Sequence, residues 1–254
     1  MTMAAHRAGP SDAPVLVLLH AIATSSALWT PQLAALASRF HVVRIDLPGH
    51  GDSPAMTGSP GYPDYADAVA ATLAGLGIHS ASIAGLSFGA MVAMQLAVRH
   101  PALASRVALA NCAAFTPPPV ADMWRARIAA VEQGGMASQR AVTLDRWFTP
   151  GFAASAALTL DWIGSMIEAT PSAGFIAAAR MISSLDHRDI LSAIASPTLV
   201  LSGAHDLATT PAIMAGIVAA LPHAQLASLD AAHLANVEAP VAFAEALGAF
   251  MLAA

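Results

Sequence analysis

The residues with the clearest chemical potential lie in Gly85-Leu86-Ser87-Phe88-Gly89, which fits the pattern G-x-S-x-G. An apolar run precedes it and a helical pattern follows it. In that setting the pattern builds a sharp strand-to-helix turn with the serine hydroxyl exposed at its tip. Glycines two positions to either side allow the backbone to approach closely. The helix N-terminus favours negative charge developing there. A serine hydroxyl becomes a nucleophile only beside a base, and the base needs an acid to orient it. Asp206 in Gly203-Ala204-His205-Asp206 and His233 in Asp230-Ala231-Ala232-His233 each follow a short apolar run, in the order Ser, Asp, His. These three residues are the candidate nucleophile, acid and base. Ser87 and Asp206 could instead simply cap helices, and His233 could be a buried structural histidine. His205 is a weaker candidate base, because it precedes the acid in the same tight loop, and Asp230 is a weaker candidate acid.

Acyl transfer also needs N–H donors for the oxyanion. The backbone N–H groups of Phe88 and of Ile22, in His20-Ala21-Ile22-Ala23-Thr24, are the expected pair. His20 is read as bracing that loop. Asp46-Leu47-Pro48-Gly49-His50-Gly51-Asp52-Ser53 is read as a tight structural loop and not a metal site. The expected chemistry needs neither a metal nor an organic cofactor.

Positioning such residues takes strands and helices in alternation. Short apolar runs occur at Val15–Leu19, Val42–Asp46, Ala81–Leu86, Val107–Asn111, Thr198–Ser202 and Leu226–Asp230. Helical patterns occupy Tyr65–Leu76, Phe88–Arg99, Ala212–Leu221 and Val241–Met251. Strand–helix alternation predicts an α/β fold: a mostly parallel central sheet flanked by helices. No strand is evident from about Ala114 to Ala195. That stretch holds three of the four Trp (Trp124, Trp147, Trp162) and six of the 11 Arg. It is read as a helical lid, residues 114–195, inserted in a core made of 1–113 and 196–254. A few helices packed beside the sheet with no site beneath them are the alternative.

Composition narrows the function further. The chain has 254 residues, 56% hydrophobic, of which 62 are Ala. The longest unbroken apolar run is the six residues Ala249–Ala254, far short of the 18–20 a spanning helix needs. Eleven Arg and no Lys stand against 16 acidic residues, a formal charge of −5, with no basic run to follow a phosphate backbone. Neither a membrane nor a nucleic acid is an expected partner. Cys112 is the single cysteine, which excludes an internal disulfide. Met1–Pro14 has no apolar signal segment, so a cytoplasmic location is expected. The Ala-rich surface would allow a homodimer.

Together the His20 loop, Asp46–Ser53, Gly85–Gly89, Gly203–Asp206 and His233 resemble the α/β-hydrolase superfamily. Within it, Asp145–Pro150, Ala169–Phe175, Ser184–Asp189 and Ala231–Glu238 resemble the 3-oxoadipate enol-lactonases. The resemblance implies a serine hydrolase that cleaves a small ester or lactone through an acyl-enzyme, with 3-oxoadipate enol-lactone as the expected substrate. A small-ester carboxylesterase, a carbon–carbon bond hydrolase of a ring-cleavage product and a non-catalytic binding protein are the alternatives. A lactone bearing a carboxylate would call for a cation near the lid. Arg146 and Arg125 are the candidates, and Trp147 and Trp124 are candidate pocket walls.

Overall fold

The run Val15-Leu16-Val17-Leu18-Leu19 has no polar residue, and Leu16–Leu19 are fully buried in the structure. Burial on both faces is what a central strand of a parallel sheet requires. This computed structural model describes residues 2–253. Its strands are β1 (Ala5–Ala8), β2 (Val15–Leu19), β3 (His41–Ile45), β4 (Ala81–Leu86), β5 (Ala104–Ala110), β6 (Thr198–Gly203) and β7 (Ala224–Leu229). They form one seven-stranded sheet in the order β1-β3-β2-β4-β5-β6-β7. All neighbours are parallel except β1, which pairs antiparallel to β3 along one edge. The fold is therefore the α/β type expected, with a short edge strand added. Ala-His-Arg-Ala is too brief to carry a strand pattern of its own, and its pairing with β3 makes it a strand.

The helices outside the long connection are α1 (Thr30–Ala37), α2 (Tyr62–Gly75), α3 (Phe88–Arg99), α9 (Pro211–Ala220), α10 (Ala235–Glu238) and α11 (Pro240–Leu252). α1 packs with α11 and α2 with α3, while α9 lies against β6 and β7. The connection from β5 to β6 holds α4 (Pro118–Gly134), α5 (Arg140–Trp147), α6 (Pro150–Ser155), α7 (Ala157–Ala169) and α8 (Ser172–Ser183). Among the described residues it contributes no strand, only an isolated bridge between Phe115 and Asp186. No helix among the described residues is long and apolar enough to cross a membrane.

The loop after β3 supports the site from beneath. The buried Asp46 carboxylate accepts the backbone N–H groups of Ser26 (2.6 Å) and Asp52 (3.0 Å). Gly51, at φ +51°, lies so close that a Cβ would meet Asp46 Cγ at 2.4 Å. His6, Asp46 and Asp52 approach one another closely enough to hold a metal ion. Both Asp46 oxygens, however, are already committed to backbone donors. Gly49 of the same loop touches Gly174 at the start of α8, where a Cβ would fall 1.8 Å from the Gly49 carbonyl oxygen. That contact ties the helical segment to the core backbone to backbone.

Two consequences are measurable. Gly174→Ala must push α8 off the Gly49 loop, an overpacking cost of about 1–3 kcal/mol. A lowered midpoint in urea unfolding is the expected result, and an unchanged midpoint would contradict the contact. The second consequence concerns pH. Burial, reinforced by the neighbouring His20, holds the His50 ring down at about 3, and burial holds His187 at about 4. In the unfolded chain both titrate near 6.5. Below that pH the unfolded state takes up more protons than the folded one. Their stabilising contribution is complete above about pH 6.5 and is lost as the pH falls towards 4 and then 3. The urea midpoint should drop across that window; a level profile down to pH 4 would count against neutral buried rings.

Candidate active site

Ser87 follows β4 and stands at the N-terminus of α3, with φ +53° and ψ −113°. Few side-chain-bearing residues adopt a positive φ, and the strain is sustained only where the surroundings fix it. Here they do. Ser87 N–H donates to the Ala110 carbonyl at the end of β5 (2.8 Å). A Cβ on Gly85 would lie 2.4 Å from the Gly89 carbonyl, and one on Gly89 would lie 2.3 Å from the Leu19 carbonyl oxygen. Both glycines are thus required by contact between backbones.

Asp206 follows β6 and His233 follows β7, so parallel pairing brings both to the sheet edge that carries Ser87. Gly203 lets their loops touch: a Cβ there would meet the Ala232 carbonyl oxygen at 2.2 Å. Ala204 N–H donates to Leu229 and His205 N–H to Ala231. The result is a continuous chain of hydrogen bonds. His233 Nδ1 lies 2.8 Å from Asp206 Oδ2, and His233 Nε2 lies 2.9 Å from Ser87 Oγ. All three side chains are buried. Burial alone would push the Asp206 carboxyl up. The His233 ring and the Thr209 hydrogen bonds outweigh it and hold the carboxyl well below the usual carboxylate range. An ionised carboxylate only accepts, so Nδ1 carries the proton and Nε2 is left to accept the Ser87 hydroxyl. This arrangement can move a proton off Ser87.

Two residues at this site were not among the sequence candidates. Asn111 Nδ2 donates to Asp206 Oδ2 (2.9 Å), and Thr209 Oγ1 donates to the same oxygen (2.6 Å). Asp206 Oδ1 accepts the N–H groups of Ala208 (2.7 Å) and Thr209 (3.0 Å). Asn111 has φ +45°, a backbone state that asparagine tolerates better than most residues. Its place just past β5, on the same edge as the other three, is the signal that could have marked it.

His20 is fully buried. Its Nδ1–H donates to the Ala21 carbonyl (2.7 Å) and its Nε2 accepts Leu47 N–H (2.9 Å), locking the loop that carries Ile22. Phe88 N–H is the first in α3 and has no partner within the helix. The weaker candidates His205 and Asp230 pair with each other at 2.8 Å on the surface.

A cavity of about 90 Å³ opens beside Ser87 and His233. Ile22, Trp124, Arg146 and Trp147 line it, and the Trp147 ring stacks near His233 at 6.1 Å between centroids. Arg125 does not line it. Two residues along a helix turn the side chain by about 200°. Arg125 accordingly points outward and pairs with Asp122, while Arg127 faces the cavity. The strap around Trp147 is tied to the His233 loop. Leu234 N–H donates to the Trp147 carbonyl (3.1 Å). Glu238 accepts both the Thr149 hydroxyl and Ala232 N–H.

Comparison with known proteins agrees with this architecture. The model of the α/β-hydrolase fold family matches residues 14–240. The chain is 32% identical to 3-oxoadipate enol-lactonase 1 of Acinetobacter baylyi, over 96% of this chain and 90% of that protein. The crystal structure of the enol-lactonase from Burkholderia xenovorans superposes with a TM-score of 0.95 at 32% identity, covering 99% of this chain and 96% of that one. A thermophilic esterase from Thermogutta terrifontis superposes with a TM-score of 0.91 at 26% identity, covering 98% and 92%. Strand order, the Ser87 turn and these matches agree: the chain belongs to the α/β-hydrolase family and resembles its enol-lactonases.

Proposed function

We propose that the protein hydrolyses a small ester or lactone through an acyl-enzyme on Ser87, with an enol-lactone of the 3-oxoadipate type as the favoured substrate. The observation that carries this reading is the unbroken relay from Asp206 through His233 to Ser87, at 2.8 and 2.9 Å, facing a cavity. Ser87 Oγ attacks the carbonyl carbon as its proton passes to His233 Nε2. Asp206 stabilises the resulting imidazolium. The N–H groups of Ile22 and Phe88 receive the oxyanion. As the carbonyl re-forms, the C–O bond to the leaving oxygen breaks. That oxygen takes the proton from His233; an enolic oxygen departs readily as the enolate and takes the proton after the bond has broken, so His233 is again a base. His233 then activates a water that cleaves the acyl-enzyme and restores Ser87. The helical segment from 114 to 195 acts as the lid, with Trp124 and Trp147 as walls of the substrate cavity.

The enol-lactonase relatives support the lactone. A small-ester carboxylesterase is the second reading, favoured by the apolar lining of Ile22, Met91, Ala113 and Trp124 and by the likeness to the Thermogutta esterase. The two readings differ in the leaving group, in the ring that tethers it to the acyl carbon and in substrate charge, and kcat/KM for an enol-lactone against a neutral short-chain ester separates them.

Ser87→Ala should keep its far-UV circular dichroism and lose on the order of 10⁶ in kcat. Near-full activity in that folded variant would remove the mechanism. Asn111→Ala deletes one hydrogen bond to a charged group, worth about 1.5–3 kcal/mol. It should lower kcat while changing KM little; a rise in KM at constant kcat would contradict the role assigned to Asn111.

A further inference from the structure

The sheet has two edges of unlike construction. At one end β1 is four residues long and carries His6 and Arg7. At the other, β7 is six residues long, Ala224-Gln225-Leu226-Ala227-Ser228-Leu229, with no charge and no proline. Short length and charged side chains keep an open edge from pairing with another chain, and β7 has neither. Its register fixes which backbone groups are open. Thr198 N–H donates to the His223 carbonyl and Ala204 N–H to the Leu229 carbonyl. The alternate residues Gln225, Ala227 and Leu229 therefore turn their N–H and C=O groups to β6. Ala224, Leu226 and Ser228 turn theirs outward, and among the described residues none of these groups has a backbone partner.

The flank of this edge is uncharged as well. From Leu207 to Leu229 the chain has no Asp, Glu, Lys or Arg. Every exposed residue of α9, which packs against β7, is Pro, Ala, Ile or Gly. Among the described residues, each other helix of eight or more residues exposes at least one polar side chain. Leu226 is 49% exposed. A contiguous apolar surface of this kind marks an interaction site. The edge is complementary to itself. An antiparallel copy centred on Leu226 sets Leu226 against the partner's Leu226 and Ala224 against the partner's Ser228, so every open N–H and C=O of these three residues finds a partner. No like charges meet, whereas a charged partner would find no counter-charge along the strand. A six-residue edge is about 20 Å long, and a sheet with a helix layer on each face is about 30 Å thick. That presents roughly 600 Å² in projection, on the scale of the about 800 Å² per partner that stable dimers bury.

We propose that the protein is a two-fold homodimer in which β7 pairs antiparallel with β7 of a second copy, joining two seven-stranded sheets into one continuous sheet. The axis passes through Leu226 perpendicular to the sheet, so α9 of one copy comes to the same side of the interface as α9 of the other. Ser87, Asp206 and His233 lie at the C-terminal ends of their strands. Antiparallel pairing therefore points the two catalytic edges in opposite directions, and the pairing does not depend on the reaction at Ser87.

Sedimentation equilibrium of the full chain over a wide range of concentration should give twice the chain mass. Leu226→Pro removes one outward N–H and no bond to β6. Leu226→Lys sets like charges against each other at the axis. Each should raise the dimer dissociation constant about tenfold or more, with the far-UV circular dichroism unchanged. If the proline variant does not fold, Leu226→Lys carries the test. The register is read by oxidation with diamide. Directly opposed residues with open backbone groups stand about 5.5 Å apart at Cα, within reach of a disulfide. Leu226→Cys should therefore give a covalent dimer. The two cysteines of Gln225→Cys would lie about 8 Å apart in this register and should stay reduced. A monomer at every concentration, a dimer that Leu226→Lys leaves intact, or crosslinking of Gln225→Cys in preference to Leu226→Cys overturns the proposal.

Discussion

One carboxylate oxygen organises the site. Asp206 Oδ2 accepts from His233 Nδ1, Asn111 Nδ2 and Thr209 Oγ1, three side chains on three separate segments. Each donor favours the ionised carboxylate, and together they offset the cost of burying it. The same oxygen settles which imidazole nitrogen holds the proton and therefore which one faces Ser87. Without it the serine would be an alcohol at a helix end. The sheet makes this convergence possible: residues distant in sequence meet because parallel strands deliver their C-terminal ends to one edge.

The sequence made the reactive line legible for a local reason. Ser87, Asp206 and His233 each sit just past a strong apolar run, and order plus strand context identifies them without knowledge of packing. Asn111 escaped because it reads as the last residue of such a run. Its role depends on a loop almost a hundred positions away. Arg127 escaped for a different reason. Arg125 and Arg127 lie in one helix with similar neighbours, and only the docking of α4 against α8 decides which side is inward. The first strand was hidden because four residues carry no periodicity, and α1 because Thr-Pro-Gln-Leu-Ala-Ala-Leu-Ala has little amphipathic contrast.

The helical segment meets the core at two contacts of different kinds. Gly174 meets Gly49 with no side chain between them, a fit that tolerates no displacement without loss of contact. The Trp147 strap is held by polar contacts instead, through Leu234 N–H and the Glu238 carboxylate. Hydrogen bonds of this kind exchange with water at small net cost. Glycine-on-glycine packing has no such substitute. One contact is thus backbone against backbone at the start of α8, and the other is a set of hydrogen bonds beside His233.

The strained turn at position 87 also limits which chemistries this scaffold can explore. Threonine carries the same hydroxyl, but a branched Cβ is a severe outlier at a φ of +53°. Swapping one alcohol for the other is therefore closed to drift by single mutation, whereas an unbranched thiol or carboxylate fits the same backbone. The geometry that holds one hydroxyl oxygen beside His233 also limits which side chains could take its place.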